Sequence, residues 1–579
     1  MEPGIGTSLS NSSPSRRSSS DLLDGPAAAS VSASLCCQER CALRGSNVFL
    51  LLTATNMMIF LDRGILPGCS QEINEFIEDS LNTSTPDVFL GLLQSAFILG
   101  FAASTLVFAH LTHYYNAFKL IGVGLIVFAA ALLLTGAAEY IGSFWFLFCA
   151  RLLTGVGEAS FTCVVPPIIL DNAAPHEGGK WLALYFTAIP VGTALGYIYG
   201  SLLAHSRLSW SGAYWLEVPV MLPLIAAIFS LSSHPIGQKA SVHVGGFKLL
   251  SPTSSAPEPV SAALYLQGYD GEGDLAHVPR LEGEKGGAGQ GVEGGEGQGE
   301  ARAVLSRPIF VCVVMSYAAI VAVLISLSTF GAGIIVSLGL FSTEQAASAA
   351  FGALVAAAGI AGTPAGGRLI DRLAGVEEGA KLLMVLGNVW AMVCVATVFV
   401  IIGSLAATAG RLPFLACLFL GCLCLFMATS LINVALMLSV AAQHRSFALA
   451  LNTLGLHLFG DVPSPIIVGA LKDRWAPHCV AGAADSYADS YAGSSAPLGA
   501  SSQECVKERP GLQRVLMVVA LWLLWSCVYL GAAYALQRRK VLRNSAAAQN
   551  GARRVPLVSD EAGELARPLL LQSPRAAQQ

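Results

Sequence analysis

A small set of ionisable side chains lies deep within long apolar runs of this sequence. A charge at bilayer depth is costly unless it is paired or hydrated, so each of these residues is a candidate for function. They are Asp62 and Arg63 in the first run, Arg151 and Glu158 in the fourth, Glu217 in the sixth, and His457 and Asp461 in the eleventh. A carboxyl group can carry a proton and a guanidinium can hold an anion, so the set predicts substrate binding and proton coupling.

Arg151 and Glu158 lie within one apolar run, in the segment RLLTGVGEAS. At about 3.6 residues per turn, their spacing puts both side chains on one helix face, two turns apart and facing the interior of a helix bundle. The Arg151 guanidinium can hold a carboxylate or a phosphate through two parallel hydrogen bonds. Glu158 can pair with Arg151 or carry a proton. A purely structural charge pair between helices is the alternative.

Asp62 and Arg63 are adjacent, so their side chains diverge by about 100° on a helix and each needs another partner. Asp62 is expected to bind a coupling proton or to form a salt bridge with a basic residue on another helix. A charge pair near the membrane surface is the alternative. His457 and Asp461 can meet on one helical face, which predicts a hydrogen-bond network. They offer too few ligands for a metal site, and no metal or cofactor is expected.

The runs that carry these residues are long enough to cross a membrane as helices. The chain is 54% hydrophobic and 12% charged, whereas soluble domains carry about a quarter charged residues. A bilayer core needs about 20 apolar residues per helix. Twelve runs meet this need, near 48–69, 87–111, 118–138, 143–171, 178–204, 213–232, 307–338, 346–370, 380–403, 412–440, 446–471 and 511–536. The runs do not alternate as barrel strands do, which predicts an all-α polytopic membrane protein with two six-helix bundles.

Basic residues predict the side of the membrane on which the chain ends lie. Four arginines precede the first run, and a basic cluster at 538–543 follows the last. Because positively charged segments stay in the cytosol, both termini are predicted to be cytosolic. The loop at 70–86 contains acidic residues and no Lys or Arg, which fits the opposite side.

Segments rich in Gly, Ser, Ala, Pro and charge divide the chain, and such segments bury too little apolar surface to fold alone. The predicted organisation is a disordered N-terminus (1–45), a six-helix bundle (46–232), a disordered linker (233–306), a second bundle (307–540) with an extracytosolic loop (473–510), and a disordered tail (541–579). A long linker between bundles is typical of a carrier whose halves rock about a central site. The sequence lacks a P-loop, so we expect a gradient rather than ATP to supply the energy, and no nucleic-acid partner.

Two features of the predicted outward loops concern covalent modification. Cys479 and Cys505 fall in the last such loop, on the side where disulfides persist, and are predicted to bond with each other. Two free cysteines are the alternative. Asn82 begins an Asn-Thr-Ser glycosylation sequon, although its closeness to the second run can block the transferase. Within the runs, the glycine-rich stretches 192–200 and 352–367 predict close helix contacts.

Several motifs together resemble the Spinster-like branch of the major facilitator superfamily. In the first half they are N-x-x-x-x-x-D-R at Asn56, Asp62 and Arg63, RLLTGVGEAS at 151–160 and AIPVGTALGYIYGS at 188–201. In the second half they are Asn433, Arg445, HLFGDVPSP at 457–465, Gly469 and Asp473. The resemblance covers about 48–232 and 307–536.

The resemblance implies a major facilitator fold and a transporter of amphipathic lipids with one chain and a charged head, such as lysophospholipids or sphingosine-1-phosphate, coupled to protons. The site residues that it implies are Asp62 and Arg63 as proton-linked switch groups, Arg151 and Glu158 as central-cavity charges, and His457 and Asp461 as part of a helix network.

The loop between the second and third runs departs from the family's pattern. That pattern is F-G-x-L-x-D-R-x-N-R-K, whereas this chain reads FAHLTHYYNAF at 108–118. Without the acidic residue that holds the outward-open state, that state should be less favoured. The second half retains GGRLIDR at 366–372, so Asp371 and Arg372, together with Arg445, are predicted to form a gate.

Two other functions stay open. A carrier of a small soluble organic anion or sugar is the first, because Arg151 suits any anionic head group. A non-transporting membrane scaffold is the second, because of the altered loop. A leucine run after Glu564 resembles an acidic sorting signal, so we expect the chain in the plasma membrane or in an endolysosomal membrane.

Overall fold

The computed structural model describes residues 26–112, 114–172, 178–232, 301–373, 376–407, 409–441, 444–479 and 500–552. Across these ranges, twelve helices are long and apolar enough to cross a membrane. The same ranges contain no β-strand. The prediction of an all-α protein with twelve spanning helices is confirmed.

Six spanning helices precede the linker. They are α1 (Pro26–Gly68), α3 (Pro86–Leu111), α4 (Ala117–Ile141), α5 (Phe144–Thr162) with its continuation α6 (Val165–Asn172), α7 (Gly178–Ala204) and α8 (Ser209–Leu231). A shorter helix, α2 (Ser70–Leu81), connects α1 to α3. The part of α1 that is apolar enough to span a membrane is Asn47–Gly68.

Six more spanning segments follow the linker. They are α9 (Pro308–Ser337), α10 (Glu344–Asp371), α11 (Glu378–Ala406), α12 (Arg411–Leu438), the pair α13 (Arg445–Leu456) and α14 (Pro463–Trp475), and α15 (Ala500–Ala552). A π-helical turn, His457–Asp461, joins α13 to α14. The two halves meet mainly where α3 packs on α14 and where α7 packs on α10.

Helix α2 differs from the sequence prediction, which gives residues 70–86 as an acidic loop. Ile73 and Ile77 are buried one turn apart, and α2 packs against α3 and α5. Glu75 and Asp79 remain exposed on its outer side. The i, i+4 spacing of the two isoleucines is the helical signal that the acidic composition obscured.

Several predicted disordered segments are partly helical. Helix α1 extends back to Pro26 and α15 extends forward to Ala552, so residues 26–45 and 541–552 are helical rather than disordered. Both stretches are rich in alanine, and adding a residue to an existing helix costs much less than starting one. Helix α15 also begins at Ala500, inside the predicted loop 473–510. The rest of the predicted N-terminus, linker, loop and tail lies largely outside the described residues.

Glycines allow α1 and α7 to touch backbone to backbone, as the sequence predicted for the stretch 192–200. A Cβ atom on Gly64 would lie 2.3 Å from the Thr193 carbonyl oxygen, and one on Gly196 would lie 2.1 Å from the Leu61 carbonyl oxygen. Neither position accepts a larger residue without separating the helices. This contact fixes the part of α1 that carries the first two candidate charges.

Candidate functional site

Two ion pairs join α1 to α5. Arg151 donates from Nη1 to both carboxylate oxygens of Asp62, at 3.0 and 3.2 Å. Arg63 donates from Nε to Oε2 of Glu158 at 3.1 Å, and its Nη2 contacts Oε1 of the same carboxylate. Each helix therefore supplies one acid and one base, and the pairs cross from one helix to the other.

This arrangement shows which partner each of these charged groups has. Asp62 forms the salt bridge to a basic residue on another helix. Glu158 pairs with Arg63 and not with Arg151, its neighbour on α5. Seven residues correspond to about 10 Å of rise along a helix, which is too far for a direct contact within α5. Because the side chains of Asp62 and Arg63 diverge on α1, each can reach one of the two charged residues that lie two turns apart on α5.

Aromatic rings surround the two guanidinium groups. Arg63 Cζ lies 4.7 Å from the ring centre of Phe60, 4.9 Å from that of Phe97 and 5.3 Å from that of Phe101. Phe97 also faces Arg151, at 5.3 Å. Such contacts attract a cation through the electron-rich face of the ring.

The two pairs differ in how accessible they are. The side chain of Arg63 is 23% exposed, whereas those of Asp62, Arg151 and Glu158 are fully buried. Arg63 is therefore the member of this set that a ligand can reach without a conformational change. Phe60, Phe97 and Phe101 around it provide an apolar wall next to a positive charge.

Glu217 on α8 belongs to the same buried region. It is 1% exposed and interacts electrostatically with Asp62 and Arg151. Glu217 is an intramembrane charge in the sequence but is not among the predicted site residues. A carboxyl group within an apolar run was the signal, and only its position in the fold shows that it joins the cluster.

His457 and Asp461 meet as predicted, with Nδ1 of the histidine 2.7 Å from Oδ2 of the aspartate. They are the first and last residues of the π-helical turn between α13 and α14. The His457 ring packs edge-on against Phe101 of the first half, with 5.6 Å between ring centres. Single π-helical turns inside α-helices occur frequently at functional sites. This one places the second half next to the aromatic rings around Arg63.

A second polar cluster, which we call the latch, joins the two halves where α3 begins and α14 ends. Asp473 of α14 accepts hydrogen bonds from the backbone N–H groups of Asp87, at 3.1 Å, and Val88, at 2.8 Å. It thereby caps the N-terminus of a helix in the other half. Lys472 donates to Asp87 Oδ2 at 2.5 Å, and Asn74 of α2 donates to Asp87 Oδ1 at 3.0 Å.

Further contacts between the halves lie at the same end of the spanning helices as the latch. We call this end of the protein the latch face. Ser70 donates to Oε1 of Glu344 on α10 at 3.4 Å, and the Tyr197 hydroxyl group donates to the Ser328 carbonyl oxygen. Both contacts join the first half to the second. The charges of the latch lie at helix ends, where solvation by water is the ordinary expectation, so the sequence does not predict that they pair.

Among the described residues, the predicted gate residue Arg445 is hydrogen-bonded within the second half. Arg445 donates to the Met437 carbonyl oxygen at 3.3 Å and to Glu378 at 3.4 Å, and all three residues belong to the second half. Arg372 is exposed. The side chain of Asp371 lies outside the described part of the structure, so its proposed gating role stays a prediction.

On the latch face, Cys479 and Cys505 form a disulfide bond, with 2.08 Å between the sulfur atoms. Next to it, Nδ1 of His478 lies 2.7 Å from Oε1 of Glu508. The Glu508 carboxylate raises the pKa of His478 above its ordinary value through a hydrogen bond and through its charge. Asn82 is exposed at the end of α2, in the left-handed conformation with φ 48°, so the sequon is accessible.

The comparisons with known proteins agree with this architecture. The family described as Major Facilitator Superfamily matches residues 49–460. The probable sphingolipid transporter spinster homolog 2 of Arabidopsis thaliana is 30% identical over 384 residues, which cover 66% of this chain and 69% of that protein. The sphingosine-1-phosphate transporter SPNS2 of Danio rerio is 30% identical over 207 residues, which cover 35% of this chain and 39% of that protein.

A solved structure shares the fold. The crystal structure of a bacterial homolog to human lysosomal transporter Spinster, in an inward-facing and unoccupied conformation, superposes with a TM-score of 0.59 at 18% identity, over 86% of this chain and 98% of that one. With twelve spanning helices in two halves, crossed charge pairs between α1 and α5, and these similarities, the chain is a Spinster-like member of the major facilitator superfamily, a multi-pass membrane transporter.

Proposed function

We propose that this transporter moves a single-chain lipid with a charged head group, a lysophospholipid or a sphingoid phosphate, and that protons drive the movement. The observation that carries the proposal is the crossed arrangement of the two ion pairs, Asp62 with Arg151 and Glu158 with Arg63. Two acids and two bases, largely withdrawn from water, form a site in which a proton or an anion can replace one member of a pair.

The surroundings of Arg63 support an amphipathic substrate. Its guanidinium group is partly exposed and lies against Phe60, Phe97 and Phe101. A phosphate can bind a guanidinium through two hydrogen bonds, while the acyl or sphingoid chain covers the aromatic rings. The names of the relatives from Arabidopsis thaliana and Danio rerio are consistent with such a substrate.

Asp62 is the proposed proton acceptor. Protonation removes its charge and weakens its hold on Arg151, since hydrogen bonds to charged groups are about twice as strong as neutral ones. Arg151 is then available to another anion. When Arg151 exchanges Asp62 for another anion, the contact between α1 and α5 changes. The protonation of Asp62 is thereby linked to the position of α1 relative to α5.

Alternating access requires the latch to open. If the termini are cytosolic, as the basic residues predict, the latch face is extracytosolic and the substrate enters from the cytosolic side. Opening then separates Asp473 from the N-terminus of α3 and Lys472 from Asp87. We place the protein in the plasma membrane or in an endolysosomal membrane.

A carrier of a small organic anion is the second candidate, because Arg63 is accessible to any anion. The two candidates are separated by uptake into proteoliposomes that contain the purified chain. Lysophosphatidylcholine, sphingosine-1-phosphate and a soluble dicarboxylate are compared with and without a proton gradient. We expect lipid uptake that the gradient accelerates. Uptake of the dicarboxylate alone would support the second candidate, and uptake of no substrate would support a scaffold.

A further inference from the structure

Glu217 is a buried carboxyl group without a hydrogen-bond partner among the described residues. Neither of its side-chain oxygens accepts a hydrogen bond, and the residue is 1% exposed. An ionised carboxylate in such surroundings would be strongly destabilised, whereas the neutral acid is tolerated. The absence of a partner therefore favours a proton on this group.

The groups around Glu217 come from four helices. Asp62 of α1 and Arg151 of α5 are the charged residues that act on it. On α8 itself, Tyr214 lies one turn away with its hydroxyl group unpartnered, and its ring centre is 5.7 Å from Arg151 Cζ. From α7, Tyr199 faces the same region and donates its hydroxyl hydrogen to the Ala213 carbonyl oxygen at 2.8 Å.

Helix α4 packs against a different side of α8. Trp215 contributes to this contact, and its indole N–H donates to the Leu133 carbonyl oxygen at 3.1 Å. Residues two apart on a helix lie about 200° around the axis from each other, so Trp215 and Glu217 face nearly opposite directions. The ionisable residues of α4 are Lys119, Glu139 and Tyr140, and they are not among the described groups that act on Glu217.

The charges of the cluster balance only if it holds one proton. Three carboxyl groups, those of Asp62, Glu158 and Glu217, share two guanidinium groups, those of Arg63 and Arg151. Asp62 and Glu158 each accept hydrogen bonds from a guanidinium, which stabilises their ionised forms. Glu217 accepts none. A neutral cluster therefore places the proton on Glu217.

Arg151 has the capacity to bind a second carboxylate. Its Nη1 atom donates to Asp62, while its Nε and Nη2 atoms are buried and have no hydrogen-bond partner in the part of the chain that the structure describes. Unpartnered buried donors are rare in folded proteins and call for an explanation. A nearby carboxyl group that is neutral in one state and charged in another provides one.

We propose that Glu217 is a second proton-binding carboxyl group of this transporter and that Arg151 exchanges Asp62 for Glu217 as its partner when Asp62 takes up a proton. In the step, the Asp62 carboxylate gains a proton from water, and the Glu217 carboxylic acid releases its proton to water. One proton enters and one leaves, so the cluster stays neutral. This mechanism rests on the proposed coupling at Asp62, but the proton on Glu217 does not.

The proton on Glu217 is tested directly by infrared spectroscopy of the purified chain at neutral pH. A protonated carboxyl group has a C=O stretching band that an ionised carboxylate lacks. We expect a band that shifts with ¹³C-labelled glutamate, disappears in Glu217→Gln, and persists in the matched control Glu139→Gln on α4. A spectrum of Glu217→Gln that retains every such band would overturn the inference.

A second variant covers the possibility that Glu217→Gln does not fold. In Glu217→Asp the band should move from the glutamate-labelled to the aspartate-labelled sample, and a band that stays with labelled glutamate would contradict the assignment. The exchange of partners is tested in Asp62→Asn, where Arg151 loses an anionic partner and Glu217 should ionise, so its band should vanish. A band that survives in Asp62→Asn would exclude the exchange.

Transport assays separate this inference from the proposed function. Glu217→Gln should retain exchange of substrate across the membrane and lose accumulation driven by a proton gradient, because Asp62 cannot then be protonated without leaving an unbalanced positive charge. If the wild-type chain shows no gradient-driven accumulation, proton coupling fails as a proposal, and the infrared spectra still decide whether Glu217 carries a proton.

Discussion

Arg151 holds Asp62 through a single terminal nitrogen, Nη1, which lies 3.0 Å from one carboxylate oxygen and 3.2 Å from the other. Both side chains are fully buried. A guanidinium that formed two parallel hydrogen bonds would be held more firmly. The single-nitrogen contact leaves most of the donors of Arg151 free for another partner, which is the geometry that a switching residue needs.

Replacing Arg151 by Ala should abolish transport while the bundle still folds. Removing one partner of a buried ion pair costs about 3–5 kcal/mol if the other stays charged, but Asp62 can take up a proton and avoid much of that cost. We expect at least a tenfold lower transport rate at equal surface expression. Arg151→Lys should also be impaired, because an ammonium group lacks the planar array of donors. Arg207→Ala, an exposed arginine on the latch face, is the control, and a wild-type rate in Arg151→Ala would contradict the prediction.

Asp62→Asn should separate exchange from accumulation. The amide resembles the protonated acid in shape and charge, so the variant should still bind substrate and exchange it across the membrane. It should lose accumulation driven by a proton gradient. Counterflow measures exchange and pH-driven uptake measures accumulation, and both are measured on the same proteoliposomes. Intact pH-driven accumulation would remove Asp62 from the coupling mechanism, and a misfolded or wholly inert variant would indicate a structural role.

Asp473→Ala should open the latch face. The substitution removes the acceptor of the two hydrogen bonds that the backbone N–H groups of Asp87 and Val88 donate at the N-terminus of α3. Loss of about 1.5 kcal/mol corresponds to about a tenfold shift in the population of the closed state. Cys69, which is fully buried at the end of α1 on this face, reports the change. Its labelling by a membrane-impermeant thiol reagent should become about tenfold faster.

Asp79→Ala is the control for this experiment, because Asp79 is an exposed acid on the same face. Its labelling rate at Cys69 should match that of the wild-type chain. Equal rates for Asp473→Ala and Asp79→Ala would show that the latch does not hold the face closed.

Loss of the disulfide should loosen the start of α15. In the chain-entropy view, a bond that closes a loop with a sequence separation of 26 residues stabilises the fold by about 3.5 kcal/mol. Peptide mapping without reductant should recover Cys479 and Cys505 in one cross-linked fragment. The double variant Cys479→Ser, Cys505→Ser should unfold at a lower temperature than the single variant Cys312→Ser, whose cysteine is free. Two free thiols at 479 and 505 in the mapping would refute the bond.

The contact between His478 and Glu508 should depend on pH. The Glu508 carboxylate favours the protonated imidazole and raises the pKa of His478 above its ordinary value of 6.5. A raised pKa in the folded state means that the contact is fully present below the ordinary value and is lost as the pH rises through the raised one. NMR titration of ¹³C-labelled histidine, with the signal assigned through His478→Gln, should give a midpoint above 6.5. In Glu508→Gln the midpoint should fall, and an unchanged midpoint would contradict the pairing.

Much of the fold is predictable from the sequence because a lipid environment imposes a local requirement. Each spanning helix must satisfy its own backbone hydrogen bonds and present about 20 apolar residues to the bilayer. Because this requirement applies to contiguous residues, twelve apolar runs in the sequence predict twelve spanning helices. Two features of the fold are not predicted by the sequence, and both have local causes. The two buried isoleucines of α2 lie among acidic residues, and the π-helical turn at 457–461 leaves the apolar composition of its run unchanged.

The sequence alone also identified the charges within apolar runs as candidates for function, since such a charge is costly wherever the run packs. The tertiary structure alone decided how those charges combine. It paired Arg151 with Asp62 and Glu158 with Arg63, brought Glu217 into the cluster, and joined Asp87 to Asp473 across the two halves. Burial is a property of one residue in its run, whereas pairing depends on which helices lie side by side and how each is rotated. Asp87 and Asp473 are 386 positions apart, and neither carries a local signal of that geometry.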